Sequence, residues 1–108
     1  MKADHEIDIL FSGDVFTLHV ELEGKEIELF ADPTGNTWKR QFPKFPVEGP
    51  LSLFVHTKGL NGTKWTLALK VDKRGPLKRD GIIKKGFSRI DEEIELPLLE
   101  KGEKGDAE

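Results

Sequence analysis

Hydrophobic and polar residues alternate along most of this chain, and the alternation predicts β-strands. Residues 51–56 place leucine or valine at every second position, and residues 65–71 repeat the pattern. An Asn61-Gly62 pair lies between the two segments, and such pairs readily adopt the positive φ values of a tight turn. The pattern predicts an antiparallel hairpin over residues 51–71, at the centre of an all-β domain.

A second hairpin is predicted nearer the start of the chain. Residues 15–23 alternate clearly, and Glu23-Gly24-Lys25 has the composition of a turn that leads into a strand over residues 26–31. The next five residues, Asp-Pro-Thr-Gly-Asn, predict another turn, because proline fixes φ, glycine supplies positive φ and Asp32 can bond backbone amides ahead of it. Weaker patterns predict strands over residues 6–11, 37–42 and 90–98.

The remaining segments are predicted as loops or weak strands. Three prolines between residues 43 and 50 cannot donate to a ladder, and they indicate an ordered loop that crosses between sheets. Residues 72–80 are charged and punctuated by Gly75-Pro76, and residues 81–87 fit either a short edge strand or a loop. About seven strands of this spacing predict a single antiparallel β-sandwich over residues 1–98, with a small open β-barrel as the alternative. Residues 99–108 are predicted to be a disordered acidic tail.

The amino-acid composition limits the fold types and the side-chain chemistry that this chain can have. The chain of 108 residues has 36% hydrophobic and 34% charged residues, which suits thin β layers with one wet face each. There is no cysteine, so disulfide and thiolate chemistry are excluded. No apolar run is long enough for a transmembrane helix, and the first residues do not form a signal peptide. The default expectation is a cytoplasmic protein, with a trimmed secreted domain as the alternative.

Charge is strongly segregated along the chain. Residues 1–36 contain nine acidic and two basic residues, whereas residues 70–89 contain two acidic and eight basic ones. Residues 90–108 are acidic again, with eight carboxylates against two lysines. Blocks of opposite sign permit head-to-tail self-association.

The basic segment over residues 73–89 is a candidate anion-binding site for nucleic acid or acidic lipid. Its members are Lys73, Arg74, Lys78, Arg79, Lys84, Lys85 and Arg89. Aromatic residues for base stacking are sparse there, and the net charge of −3 repels a polyanion at long range. The favoured interpretation is therefore internal: the basic segment pairs with the acidic strands across the sheet.

Three aromatic residues are candidates for contact with a partner. Phe30 and Phe54 each lie between two inward positions, so strict alternation points them outward. On neighbouring strands they would form an exposed apolar patch, which is typical of an interface with a partner protein or a second copy. Trp38 fits core or groove equally and also suggests carbohydrate binding, whereas Trp65 is in phase with the core leucines.

Catalytic and metal chemistry are poorly supported. Cysteine is absent and no serine lies in a nucleophile elbow. His19 and His56 are the candidate metal pair, and Asp4, Asp8, Asp14 and Asp32 are a candidate calcium cluster, but neither set has the spacing of a known ligand motif. The sequence thus predicts a non-catalytic binding or assembly module without a cofactor, in which protein–protein interaction ranks above anion, carbohydrate or metal binding.

Overall fold

The chain folds into two antiparallel sheets that pack face to face. The computed structural model describes residues 3–33 and 35–98. Its strands are β1 (Ala3–Gly13), β2 (Thr17–Leu22), β3 (Lys25–Ile27), β4 (Phe30–Ala31), β5 (Thr37–Val47), β6 (Leu51–Lys58), β7 (Lys64–Val71), β8 (Arg74–Ile82) and β9 (Phe87–Ile94). The five-stranded sheet has the order β4-β5-β1-β7-β8, and the four-stranded sheet has the order β3-β2-β6-β9.

This architecture confirms the predicted β-sandwich. Each sheet turns its apolar positions toward the other, so that β1 and β7 of one sheet face β2 and β6 of the second across one shared core. No strand pair joins the two sheets within the described residues, so the barrel alternative is not adopted. The described part of the chain also contains no helix that could span a membrane. The predicted tail over residues 99–108 lies outside the described residues.

The predicted central hairpin is wrong. β6 pairs with β2 and β9, whereas β7 pairs with β1 and β8, so the two strands belong to different sheets. The loop between them is held by the segment that connects β8 to β9: Gly62 N donates to Ile83 O at 2.8 Å, and Gly86 N donates to the Asn61 side chain at 2.8 Å. Alternation identifies the buried face of a strand but not its neighbour, and two strands that face each other across a core have the same pattern as two hydrogen-bonded ones.

The early hairpin is confirmed, but the strand after it is divided. β2 and β3 pair through a turn at Glu23 and Gly24, both with positive φ. The predicted strand over residues 26–31 leaves the four-stranded sheet after Ile27 and joins the other sheet as β4. The alternation continues through the change of sheet because Ile27 is buried and Leu29, between the two strands, packs against the core. Both residues of β4 itself are exposed. The turn predicted after β4 is present, with Asp32 N donating to Thr37 O at 2.8 Å, although Thr34 within it lies outside the described residues.

The prolines do not end β5. The strand continues to Val47, and Phe45 and Val47 are buried. β4 pairs only with Trp38 and Lys39, so in the described residues the rest of β5 has a neighbour on one side alone. A missing amide is tolerated at such an edge and at the register shift opposite residues 5–7.

Residues 72–80 are likewise more ordered than predicted. Asp72 and Lys73 have positive φ and form the two-residue turn of a β7–β8 hairpin, and β8 extends from Arg74 to Ile82. β8 is an edge strand whose alternation is hidden by charge, because one of its inward positions is Arg79. The last strand is at an edge, as predicted, but it spans Phe87–Ile94 rather than residues 90–98.

Candidate functional site

The outer face of the five-stranded sheet carries a row of side chains that alternation assigns to solvent. Leu10 lies between the buried Ile9 and Phe11, so it points away from the core. Register extends the row across all five strands. Its members, in strand order from β4 to β8, are Phe30, Lys39, Leu10, Ala68 and Lys78. We call this row, with the neighbouring Lys70, the basic face.

The basic face combines exposed apolar surface with positive charge. Leu10 is 43% exposed and Phe30 is 55% exposed. These side chains line a shallow groove of about 690 Å³. The charged residues along the groove are Asp8, Lys39, Arg40, Lys70 and Lys78, four positive against one negative. The groove can therefore accept a surface that is both apolar and acidic.

Arg40 fixes one end of this groove. Its guanidinium lies 5.0 Å from the ring centre of Phe30 and 4.5 Å from that of Phe42, within the range of a cation–π contact. Arg40 Nη1 also donates a hydrogen bond of 2.8 Å to the Glu28 carbonyl. Phe30 is thus exposed but held in place, which lowers the entropy lost when a partner packs on it.

The outer face of the four-stranded sheet has the opposite character. Its central row, in strand order from β3 to β9, is Glu26, Glu21, Phe54 and Asp91. We call this row the acidic face. The next row contains His19, His56 and Arg89, and beyond it lie Lys58 and Phe87.

The acidic face is ordered by contacts with His19, which lies in the next row. His19 Nε2 lies 2.8 Å from the Glu21 carboxylate, and its Nδ1 lies 3.4 Å from that of Glu26. The His19 ring meets Phe54 edge-on at 5.9 Å between ring centres. These contacts orient two of the three carboxylates beside the central aromatic ring.

The predicted contact residues are placed separately. Phe30 lies in the five-stranded sheet and Phe54 in the four-stranded one, so they do not form the single patch expected of neighbouring strands. Each instead contributes to the outer face of its own sheet. Trp38 is half-buried and meets Phe11 edge-on at 5.7 Å, whereas Trp65 is a core residue, as predicted, with 1% of its surface exposed.

The structure distributes the seven basic residues of segment 73–89 over five places. Lys78 is on the basic face and Arg89 on the outer face of the other sheet. Lys73 and Arg74 are at the β7–β8 turn, and Lys84 and Lys85 are in the β8–β9 connection. Arg79 points inward at the edge of the sandwich.

Arg79 is engaged within the fold. Its Nε and Nη2 atoms donate hydrogen bonds of 2.6 and 3.0 Å to the two carboxylate oxygens of Glu92 on β9. The hydrogen bonds that Arg79 donates to Glu92 raise the pKa of Arg79 above its ordinary value. The pair joins the edges of the two sheets, so Arg79, one of the seven basic residues of the segment, is paired within the fold.

The candidate metal ligands are brought together only in part. His19 and His56 are direct cross-strand partners on β2 and β6. Nevertheless, the described residues contain no group of three or more His, Asp or Glu side chains placed to hold a metal ion. The four aspartates of the candidate calcium cluster are spread over β1, the β1–β2 turn and the β4–β5 turn.

Sequence reasoning missed four residues of the basic face, Leu10, Lys39, Ala68 and Lys70. Leu10 carried the same signal as Phe30, an apolar residue out of phase in an alternating strand. The two lysines carried no signal, because only the register between β5, β1 and β7 brings them beside Leu10.

Comparisons of the chain with protein-family models, curated proteins and solved structures found no match.

Proposed function

We propose that this protein is a non-catalytic module for protein–protein interaction, and that its basic face receives an apolar, acidic surface of a partner. The observation that carries the proposal is the row in which the exposed Leu10 and the half-buried Ala68 lie between Lys39 and Lys78. The exposed Phe30 extends this row on the far side of Lys39. Leu10 and Phe30 supply apolar area that a partner can bury, and the lysines select a partner of negative charge.

A polyanion is a weaker candidate for the same face. Single-stranded nucleic acid is bound on several stacking rings, and among the residues that the structure describes Phe30 is the only aromatic side chain lining the groove on the basic face. The groove also contains exposed aliphatic surface, which a phosphate backbone does not need. A protein surface satisfies both the lysines and Leu10.

A peptide titration tests the proposal. The probe is a synthetic peptide of alternating glutamate and leucine, added to the isotopically labelled protein and followed by backbone amide NMR shifts. We expect shifts at Leu10, Lys39 and Ala68, and at least about tenfold weaker binding by K39Q/K78Q, because two charge contacts are removed. The matched control is K84Q/K85Q, which removes two lysines from the β8–β9 connection and should bind like the unmodified protein.

Three results would contradict the proposal. They are the absence of binding, equal loss in the two double variants, and shifts confined to other surfaces. Tighter binding of a single-stranded oligonucleotide at the same residues, with a steep salt dependence, would replace it with the polyanion function.

A further inference from the structure

We infer that the partner of the basic face is the acidic face of a second copy of this chain. The inference rests on the proposed function and adds the identity of the occupant. The two faces lie on opposite sides of the sandwich, because they are the outer faces of its two sheets. One molecule therefore presents both halves of the contact at once.

Four of the five positions in the row of the basic face have counterparts in the acidic face, and Phe30 on β4 lies beyond them. Lys39, Leu10, Ala68 and Lys78 occupy four adjacent strands, and so do Asp91, Phe54, Glu21 and Glu26. Adjacent strands are about 4.8 Å apart, so the ends of each row are separated by about 14 Å. Sheets that pack face to face keep their strands within about 30° of each other, which lets the rows lie along one another.

The two rows also match in chemistry. With Lys39 opposite Asp91, Lys78 meets Glu26 at the other end of the row. Leu10 then lies against Phe54, which joins the exposed aliphatic side chain of one face to the central ring of the other. The remaining middle pair places Ala68 against Glu21, whose carboxylate already has His19 as a partner at 2.8 Å. Both ends therefore carry opposite charges, and the Leu10–Phe54 contact between them is apolar, as in an interface with a polar rim.

The charges also select the geometry of the assembly. Two basic faces would oppose their lysines, and two acidic faces would oppose their carboxylates, so contacts between like faces are disfavoured. A contact between unlike faces leaves one free face of each kind, so the assembly grows as an open chain or closes as a ring.

Sedimentation equilibrium of the full chain tests the inference. The unmodified protein should gain mass as its concentration rises to about 1 mM, the range of weak specific contacts. K39Q/K78Q removes the end charges of the basic face, and E26Q/D91N removes those of the acidic face. Each variant alone should associate at least about tenfold more weakly, whereas K84Q/K85Q should behave like the unmodified protein.

An equimolar mixture of the two variants is the decisive sample. K39Q/K78Q keeps an intact acidic face and E26Q/D91N keeps an intact basic face, so the mixture should form a dimer and stop there. A mixture that stays monomeric while the unmodified protein associates would overturn the inference, as would continued association of K39Q/K78Q alone.

The peptide titration separates this inference from the function on which it rests. The unmodified protein could stay monomeric at all concentrations and still bind the acidic peptide at Leu10 and Lys39. This result would overturn the inferred self-association but not the proposed function. Failure of both experiments would overturn the proposed function as well.

Discussion

Trp65 shows how single residues fit the core of the five-stranded sheet. Its ring stacks on Phe11 with 5.4 Å between ring centres, and its cross-strand partners on either side are Gly13 and Gly81. A Cβ atom at Gly81 would lie 2.3 Å from the indole ring, and one at Gly13 would lie 2.8 Å from Trp65 Cβ. The Trp65 side chain therefore requires residues without a Cβ atom at positions 13 and 81.

A Gly81→Ala substitution should lower the free energy of unfolding by about 1–3 kcal/mol, because the indole ring must move to admit the methyl group. The matched control is Gly35→Ala, where a Cβ would meet nothing within 4 Å. Urea denaturation of both variants measures the difference. Equal stability of the two would show that the ring relocates without cost.

Asp72 gives the fold a dependence on pH. Its carboxylate lies 2.6 Å from His5 Nδ1 and accepts a hydrogen bond of 2.9 Å from the Glu6 amide. The His5 hydrogen bond is the main reason that the pKa of Asp72 falls below its ordinary value of 3.8. Since the pKa is lower in the folded state, the carboxylate stabilises the fold above the unfolded value, and this stabilisation is lost as pH falls through the folded value.

We therefore expect Asp72→Asn to destabilise the protein by at most about 1 kcal/mol at pH 6, since the contact is largely exposed, and by less at pH 3. Asparagine tolerates the positive φ of this turn position, so the backbone is preserved. Chemical denaturation at the two pH values measures the difference. A loss of stability that is the same at both would assign the effect of the substitution to the turn and not to the charge.

At the scale of elements, the sandwich is closed on one side by a contact between strands that are not hydrogen-bonded to each other. β8 and β9 are the edges of different sheets, and Arg79 and Glu92 connect them. Both positions face inward, where an apolar pair would be expected. The bidentate geometry offsets part of the cost of placing charge there.

A double-mutant cycle on Arg79→Ala and Glu92→Ala should give a coupling free energy of about 1 kcal/mol, at the upper end for a partly exposed pair. Arg79→Lys should recover only part of it, because lysine keeps the charge but not the two parallel hydrogen bonds. Arg89→Ala, on the outer side of β9, is the control and should change stability by less than about 0.5 kcal/mol. A coupling near zero would mean that the edges are held by their apolar neighbours alone.

At the scale of the molecule, both sheets depend on one core. Leu53 of the four-stranded sheet and Trp65 of the five-stranded sheet belong to the same buried cluster. Neither sheet can bury its apolar face without the other, so the described strands should unfold in a single transition.

The variant Leu53→Ala tests this cooperativity from the far side of the core. We expect it to lower the free energy of unfolding by about 2–5 kcal/mol. The shift should be equal when unfolding is followed by tryptophan fluorescence and by far-ultraviolet circular dichroism. Separate midpoints for the two signals would show that the sheets unfold independently.

The strands that could be predicted are those with a complete alternation, such as β2, β6 and β7. The strands that were missed or divided are those in which a charged residue or a proline interrupts the alternation or in which the chain changes sheets. β8 has a charged residue at an inward position, β5 contains prolines that only an edge tolerates, and β4 continues the run of β3 in another sheet. Local pattern does not report how many neighbours a strand has.

The sequence by itself determined that this is an all-β domain with outward positions at Phe30 and Phe54, because a period of two and turn residues depend only on neighbours along the chain. The tertiary structure decided between the sandwich and the barrel, since that choice depends on how the sheets are joined. Only the tertiary structure decided which strands pair, since β6 and β7 satisfy the same pattern in one sheet or in two. Pairing in turn placed Lys39 beside Leu10 and Lys78 beside Ala68, and it placed Glu21 and Asp91 beside Phe54. The two charged faces are properties of the register, which no local pattern contains.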